Sequence, residues 1–296
     1  EPAVVGPRST KADNWIELRN QIARFIERWG RPYQLRWLRD RSKQKAANWC
    51  RRAGKSQTLS LESDLQALEP PKTSDYIVTM ISSGKRPANE LLLKAIQWSN
   101  VFNDIALKVV GQSIYYKPPA SEVIWFWNGN RILSLPANPE TAAGFTGDVL
   151  WDEVAKTPRD ELIFEAVHPN ITTHPSFTMR MASTPFGDRG VFPDVMLGRK
   201  KGWSLHTIDL PLAIKEGDPR NLEWVKSQYS SFVFRTNYLC LFESSSSQAF
   251  SPTVITQAIE VYDNLPRIPR PENVPAGHFR PRIAIGVDIG RRHDMT

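Results

Sequence analysis

The sequence predicts an α/β fold with a mostly parallel central sheet flanked by helices. Short apolar, strand-like runs alternate with helical patterns along the 296 residues, and this alternation is typical of parallel sheets. Ten Trp, thirteen Phe and seven Tyr supply ample core and exclude a largely disordered chain. Because ligands bind beyond the carboxyl ends of the strands in such sheets, residues that follow strands are the candidates for a site.

The individual elements are predicted from their periodicity. Residues 14–29 carry apolar side chains on one helical face, which indicates an amphipathic helix. Residues 122–135 predict a hairpin that turns at Asn128-Gly129, the strongest short hairpin signal. The other expected elements are a long helix over 89–110 and strands over 76–81, 149–151, 177–182 and 203–208.

Proline content divides the chain into a core and smaller segments. Five prolines lie between Pro266 and Arg282, which favours an extended connector over a packed element. The strand-like run that follows has little chain left to pair with, so either a second domain is truncated, the reading we favour, or the strand docks on the first. The predicted segments are an N-terminal helical segment (1–30), a core (31–213), a smaller lid or linker subdomain (214–265), a Pro-rich linker (266–282) and a truncated domain (283–296).

Composition excludes several classes of protein. No apolar stretch approaches the roughly 20 residues that a membrane span requires. The two cysteines, Cys50 and Cys240, cannot build a disulfide framework or a Cys-based zinc site, which points to a reducing cytosol. The net charge of +7 suits a polyanionic partner without establishing one.

Residues 48–56 predict a phosphate loop between an apolar run and a helical pattern. They end in Gly54-Lys55-Ser56, where backbone N–H groups at a helix start would cradle phosphates. Lys55 would reach the β and γ oxygens and the Ser56 hydroxyl would ligate Mg²⁺. The first glycine of the usual pattern would fall at Trp49, so the alternative is that Gly54 only caps a turn and Lys55 is solvated.

Two further strand ends carry polar side chains. The run 148–151 leads into Asp152 and Glu153; Asp152 would hold Mg²⁺ directly or through water, and Glu153 would polarise an attacking water. The strand over 177–182 leads into Ser183 and Thr184, whose hydroxyls could sense hydrolysis by hydrogen bonding. The alternatives are an ordinary strand that exits into solvated acids, and a Pro-Gly turn with incidental hydroxyls. The paired acids combined with the phosphate loop favour nucleotide hydrolysis.

Taken together, these segments resemble the large terminase subunit, the DNA-packaging ATPase of tailed bacteriophages and related prophages. The resemblance covers about residues 30–296 and implies a P-loop NTPase fold of the ASCE/RecA-like class. Residues 31–38 resemble the Q motif of the family, with Gln34 at the adenine, and residues 50–56 resemble its deviant Walker A motif. The latter explains the absent glycine and makes Arg51 a catalytic γ-phosphate contact. The implied ATP-binding residues are Gln34, Arg51, Arg52, Ala53, Gly54, Lys55 and Ser56.

The remaining motifs of the family also have counterparts. Asp152 and Glu153 match the Walker B aspartate and the catalytic glutamate, and Ser183-Thr184 resembles the coupling motif. Residues 286–294 resemble the opening strand of the family's RNase H-like nuclease domain, with Asp288 as its first metal ligand. One aspartate cannot hold two metals, so nuclease activity is not expected from this chain.

The resemblance also implies partners and cofactors. It implies ATP and Mg²⁺, double-stranded DNA, a small terminase subunit, a portal protein and a homo-oligomeric ring, commonly of five. The expected location is the cytoplasm of the bacterial host, transiently at the procapsid portal. Where family members carry an Arg-Gly pair before the Walker B motif, this chain has Ala143-Gly144. An arginine that acts on a neighbouring subunit would then come from elsewhere, the candidates being Arg131, Arg159 and Arg189.

The function predicted from the sequence is therefore an ATP-driven motor that translocates duplex DNA. One alternative is a nucleotide-binding assembly or regulatory module with little intrinsic turnover, and another is a helicase-type ATPase. Basic clusters leave the DNA contacts open. The run Arg36, Arg39, Arg41, Lys43 and Lys45 could line a channel or a subunit contact, or could be a solvated helix face. Ordinary surface is the better interpretation for Arg199-Lys200-Lys201.

Overall fold

An eight-stranded sheet forms the centre of the computed structural model, which describes residues 11–142 and 144–243. The described residues belong to one compact unit. The strands are β1 (Gln44–Trp49), β2 (Ile77–Ser82), β3 (Tyr115–Lys117), β4 (Val123–Phe126), β5 (Arg131–Pro136), β6 (Gly147–Asp152), β7 (Met179–Ser183) and β8 (Ser204–Ile208). The helices are α1 (Lys11–Trp29), α2 (Pro32–Arg39), α3 (Lys55–Leu68), α4 (Lys85–Val109), α5 (Pro139–Ala142), α6 (Asp160–Val167), α7 (Val191–Met196), α8 (Leu210–Lys215), α9 (Leu222–Ser227) and α10 (Ser231–Asn237).

The order of the strands confirms the predicted fold class. The order is β3-β4-β5-β2-β6-β7-β1-β8. In this spatial order, all neighbouring strands from β5 onward are parallel, whereas β4 is antiparallel to both β3 and β5. All residues of β2, β6 and β7 are buried, because helices cover both faces of a parallel sheet. β7 lies between β1 and β6, so the strand before the phosphate loop and the strand before the paired acids are separated by one strand.

Helix α1 corresponds to the predicted amphipathic helix and packs on the long helix α4 through aromatic rings. Trp29 meets Trp98 edge to face with ring centroids 4.6 Å apart, and Phe25 meets the same ring at 6.3 Å. Near the other end of α1, Trp15 stacks on Trp127 at 4.1 Å. Edge-to-face and stacked pairs stabilise beyond the area they bury, so α1 is attached along much of its length.

The predicted hairpin is also confirmed. β4 and β5 pair with Ile124 opposite Ile132, and Gly129 in the turn has φ of +88°, a conformation that costs glycine little. Phe126 is fully buried, whereas Trp127 is 43% exposed. The hairpin therefore extends the parallel sheet at the end opposite β8.

The basic run before the phosphate loop does not act as one surface. Lys45 is completely buried, with its ammonium 3.0 Å from a carboxylate oxygen of Glu62, and Arg180 donates to the same carboxylate at 2.6 Å. Arg36 and Arg39 form partly exposed ion pairs with other elements. For Lys45, neither a channel lining nor a solvated helix face is correct, because the run crosses from α2 into the buried strand β1.

Residues 244–296 lie outside the described part of the chain. The predicted Pro-rich linker, the strand over 283–288 and the metal ligand Asp288 fall in this range, so these predictions and the domain boundaries stay predictions. Within the described residues, no helix is both long and apolar enough to cross a membrane. Cys50 and Cys240 are buried free thiols.

Candidate nucleotide site

The carboxyl ends of β1, β6 and β7 meet at one edge of the sheet. Asn48 of β1 lies opposite Ser183 of β7, and Asp152 of β6 lies opposite Ala182. Since parallel neighbours end at the same edge, the phosphate loop after β1, the acids after β6 and the hydroxyls after β7 are brought together. The loop and the acids are far apart in the chain, and only the sheet places them side by side.

The loop turns into α3 at Gly54, whose φ of +87° is left-handed. Lys55 follows and is only 8% exposed. Its ammonium donates to the carbonyls of Trp49 at 3.0 Å and Cys50 at 3.3 Å. Burial lowers the pKa of Lys55, while the charges of Glu153 and Asp152 oppose this shift. The solvated lysine considered from the sequence is therefore wrong: the side chain is held inside the loop, beside the two acids.

Several carbonyl groups of the loop are engaged by other groups. A carbonyl that is already bonded does not turn toward an anion, and the first N–H groups of a helix have no partner within that helix. The start of α3 is therefore suited to accept a phosphate. The bonds to loop carbonyls are Tyr33 Oη to Ala53 O (3.0 Å), Thr58 Oγ1 to Gly54 O (3.0 Å) and Arg220 Nη1 to Arg51 O (2.6 Å).

Ser56 and Asp152 form the candidate metal site. The Ser56 hydroxyl donates to Asp152 Oδ2 at 2.5 Å, so a hydroxyl and a carboxylate from two elements already converge. Burial and the neighbouring charge of Glu153 raise the pKa of Asp152 to about 6, against the hydrogen bond from Ser56. Within the described residues, no group of three or more His, Cys, Asp or Glu side chains is placed to hold a metal. A single carboxylate with a hydroxyl suits Mg²⁺, which keeps waters and takes phosphate oxygens as further ligands.

Glu153 occupies a strained position directly after β6. Its φ of +57° is left-handed, which is uncommon outside glycine and often marks a functional site. Its backbone N–H donates to Asp152 Oδ1 at 3.0 Å, and its carboxylate forms an ion pair with Lys156 at 2.7 Å. The carboxylate is thus oriented at the edge of the sheet and is partly exposed to water.

The hydroxyls after β7 differ in their bonding. Ser183 Oγ accepts from the backbone N–H of Ala155 at 3.2 Å and donates to the carbonyl of Thr184 at 2.9 Å. It therefore links β7 to the turn after Glu153. Thr184 is 2% exposed, and its hydroxyl has no hydrogen-bond partner in the part of the chain that the structure describes. A buried unpaired hydroxyl is costly, so it is a candidate for a bond made in another state.

Gln34 contacts the phosphate loop in this structure. Its side chain is 3% exposed; the amide oxygen accepts from the backbone N–H of Arg31 at 3.0 Å, and the amide nitrogen donates to Thr58 Oγ1 at 3.0 Å. The amide nitrogen would also lie 2.8 Å from a side chain added at Gly54. Gln34 thus joins α2 to the loop, and its contact with adenine stays a prediction.

The two arginines of the phosphate loop lie at the protein surface. Arg51 and Arg52 are exposed, and Arg52 is left-handed with φ of +65°. The backbone N–H of Arg51 donates to the carbonyl of Asn237 at 2.7 Å, which ties the loop to α10. The γ-phosphate contact of Arg51 stays a prediction.

The candidates for a trans-acting arginine fall at two edges of the sheet. Arg131 begins β5 opposite Ile77, at the amino end of β2. Arg159 and Arg189 are exposed and follow the carboxyl ends of β6 and β7. Their loops are joined by Asp160, which accepts from the backbone N–H of Val191 at 2.6 Å. Arg159 and Arg189 therefore share the edge that carries Glu153.

Sequence reasoning missed Arg220, which contacts the loop, and Asp218, which holds Arg220. Arg220 donates to the Arg51 carbonyl, and Asp218 holds Arg220 through two bonds of 2.7 and 2.8 Å. A local signal existed, since Asp218 also accepts from the backbone N–H of Arg220, the turn that Asp side chains favour. Nothing in that turn indicates contact with residues 170 positions earlier.

Comparison with known proteins identifies relatives of this chain. Residues 49–257 match the family model described as terminase large subunit, T4likevirus-type, N-terminal. The Mu-like prophage FluMu protein gp28 of Haemophilus influenzae is 29% identical over 191 residues, which are 62% of this chain and 37% of that protein. The chain thus spans little more than a third of the length of this relative.

Solved structures share the fold at low sequence identity. The ATPase domain of the large terminase of Thermus phage P74-26 is 17% identical with a TM-score of 0.59, over 80% of this chain and all of that one. A large terminase from another thermophilic bacteriophage, solved in complex with ADP, is 15% identical with a TM-score of 0.55, over 72% of this chain and 53% of that one. The large terminase of bacteriophage HK97 is 15% identical with a TM-score of 0.54, over 68% of this chain and 47% of that one.

Proposed function

Because the chain belongs to the terminase large subunit family, we propose that it is the ATP-hydrolysing motor subunit that moves double-stranded viral DNA into a procapsid. The observation that carries the proposal is the convergence of Lys55, Ser56, Asp152 and Glu153 at one edge of the sheet. Each of these residue types has a separate task in phosphoryl transfer, and a chance cluster of all four at a strand-to-helix loop is improbable.

The residues divide into those that bind and those that react. The amides at the start of α3 and the ammonium of Lys55 would hold the phosphates, with Gln34 on the adenine side. Ser56 and Asp152 would hold Mg²⁺, and a bound Mg²⁺ supplies positive charge against the phosphate oxygens. The large terminase of the second thermophilic phage was solved both with ADP and with ATP-gamma-S, which supports a nucleotide as the ligand here.

Glu153 is the proposed general base. An attacking water loses a proton as it bonds to phosphorus, and an ionised carboxylate within reach would accept that proton. The Glu153 carboxylate forms an ion pair with Lys156 at 2.7 Å. Ser183 joins the following turn to β7, so a shift of Glu153 would be transmitted to Ser183 and Thr184, the proposed coupling residues.

The partners are part of the same proposal. The net charge of +7 suits a polyanion such as duplex DNA. We propose a small terminase subunit, a portal protein and a ring of five subunits as partners, and the host cytoplasm and the portal as the place of action, on the strength of family membership. Arg131, Arg159 and Arg189 stay the candidates for a trans-acting arginine.

The test measures Mg²⁺-dependent ATP hydrolysis in the wild type, in Glu153→Gln and in the control Glu165→Gln. Glu165 lies exposed on α6, so the control removes a similar charge nearby. We expect Glu153→Gln to lower the turnover number by about 10²-fold or more, with ATP still bound. Equal turnover in the wild type and in Glu153→Gln would remove Glu153 from this role.

A nucleotide-binding assembly module with little turnover is the second candidate. It is favoured by Ala143-Gly144, which replaces the Arg-Gly pair of the family. The module would bind ATP tightly, yet DNA would not stimulate hydrolysis even at concentrations that favour oligomers. A helicase-type ATPase would instead separate the strands of a forked duplex, an activity that a packaging motor does not require.

A further inference from the structure

The loop of residues 216–220, between α8 and α9, contacts the helix that precedes the phosphate loop. Glu216 forms an ion pair of 2.8 Å with Arg36 of α2. Arg31, at the start of the same helix, donates to the carbonyl of Gly217 at 3.3 Å. The 216–220 loop is therefore held against α2, the helix that carries Gln34.

Within this loop, Asp218 and Arg220 form a rigid pair. The guanidinium donates from Nε to Oδ1 at 2.7 Å and from Nη2 to Oδ2 at 2.8 Å. The Asp218 side chain is 3% exposed. Burial raises the pKa of Asp218, but the hydrogen bonds and the charge of Arg220 outweigh it and hold the pKa below its usual value. A bidentate pair of this kind fixes the plane of the guanidinium.

The fixed guanidinium faces the phosphate loop. Its Nη1 donates to the carbonyl of Arg51 at 2.6 Å, and its Nη2 lies 3.6 Å from the Cys50 sulfur. A free carbonyl at this point could turn toward the phosphates and repel them, because both carry negative charge. The bond from Arg220 fixes this carbonyl, so the amides of the loop rather than its oxygens remain available to an anion.

We infer that Asp218 and Arg220 are a positioning pair that keeps the phosphate loop in its anion-accepting shape and ties nucleotide affinity to the position of the 216–220 loop. The inference rests on the proposed nucleotide site and extends it to residues outside every recognised motif. Coupling of this kind is reciprocal. If the contact between Arg220 and Arg51 raises the affinity for nucleotide by some factor, a bound nucleotide raises the equilibrium constant for forming that contact by the same factor.

The test is the affinity of the 296-residue chain for ATP and ADP, measured by calorimetry in the wild type, Arg220→Ala and Arg235→Ala. Arg235 of α10 is a matched control, because its guanidinium also forms a bidentate pair, with Glu243, at 2.5 and 3.1 Å. We expect Arg220→Ala to weaken binding about tenfold or more, since it removes a charge-assisted bond to the loop. Arg235→Ala should bind as the wild type does.

Added guanidinium ion separates positioning from general loosening. It should restore the affinity of Arg220→Ala, because it can occupy the space beside Asp218 and donate to the Arg51 carbonyl. Should Arg220→Ala fail to fold, Arg220→Lys and Asp218→Asn replace it, and both should show an intermediate loss. Wild-type affinity in these variants, or an equal loss in Arg235→Ala, would overturn the inference. A wild-type chain that binds no ATP would instead overturn the proposed function.

Discussion

The hydroxyl of Ser56 donates to the carboxylate of Asp152 at 2.5 Å, across 96 residues of sequence. This bond joins the first turn of α3 to the end of β6, and it brings together one oxygen from the phosphate loop and one from the acid pair. The sheet therefore brings together the two oxygens of the candidate metal site.

The Ser56 hydroxyl should matter for Mg²⁺ rather than for the nucleotide. We expect Ser56→Ala to raise the Mg²⁺ concentration needed for half-maximal ATP hydrolysis by about tenfold, because one of two protein oxygens is lost. ATP binding in the presence of a chelator should not change. Ser63→Ala is the control, since Ser63 lies in the same helix and donates to the carbonyl of Ser60. A Mg²⁺ dependence identical to that of the wild type would contradict the assignment.

Gly54 of the phosphate loop can be compared with Gly129 of the hairpin turn to test whether the shape of the phosphate loop matters for nucleotide binding. Both have left-handed φ, +87° and +88°, but only an added side chain at Gly54 would meet another group, Gln34 Nε2 at 2.8 Å. Alanine at either position should cost about 1–2 kcal/mol of unfolding free energy from backbone strain.

Only Gly54→Ala should also lose nucleotide affinity, because Gln34 and Thr58 must shift. Denaturant titration gives the first quantity and calorimetry the second. Equal nucleotide affinity in Gly54→Ala and Gly129→Ala would show that the loop tolerates the contact with Gln34.

The unpaired hydroxyl of Thr184 predicts a change in turnover without a loss of stability. Thr184→Val keeps the shape and removes a buried group without a partner, so the free energy of unfolding should rise by about 1 kcal/mol. If the hydroxyl bonds during the reaction cycle, the turnover number should fall while ATP affinity stays. Thr73→Val is the control, because the buried hydroxyl of Thr73, in the segment before β2, also has no partner among the described residues. Unchanged turnover in Thr184→Val would remove the coupling role.

The buried cluster around Lys45 predicts an unusual dependence of stability on pH. Burial lowers the pKa of Lys45 from 10.5 to about 8, although Glu62 opposes the shift. Between these two pKa values the unfolded chain then holds a proton that the folded chain has released. The contribution of Lys45 to stability therefore rises with pH in this window, by about 3 kcal/mol in total.

The measurement compares denaturant unfolding of the wild type and Lys45→Met from neutral pH to about the usual pKa of a lysine. In the variant, Glu62 stays paired with Arg180. Because the other titrating groups are the same in both proteins, their contributions cancel when the two unfolding free energies are subtracted. Parallel stability profiles across this range would show that Lys45 stays protonated in the folded state.

Local pattern was sufficient for the fold class, for the helices α1 and α4 and for most of the strands. The hairpin at Asn128-Gly129 was predictable because only its turn chemistry had to be recognised. Lys55, Asp152 and Thr184 were predicted as candidates because each lies at or after the end of an apolar strand. The ends of strands can be predicted from residues that are neighbours in the chain. The same local rules misjudged Lys45, whose charge indicates a surface position although it lies in the buried strand β1.

The sequence alone thus determined the fold class, and it predicted which side chains belong to the phosphate loop, the acid pair and the hydroxyl turn. Tertiary structure decided which groups touch: the bond between Ser56 and Asp152, the turn of Gln34 toward Gly54, and the contact of Arg220 with the Arg51 carbonyl. The physical reason is that periodicity and turn preference depend on nearby residues. Strand order and the burial of charged pairs depend instead on contacts between segments far apart in the chain. Such contacts cannot be predicted from a local sequence pattern.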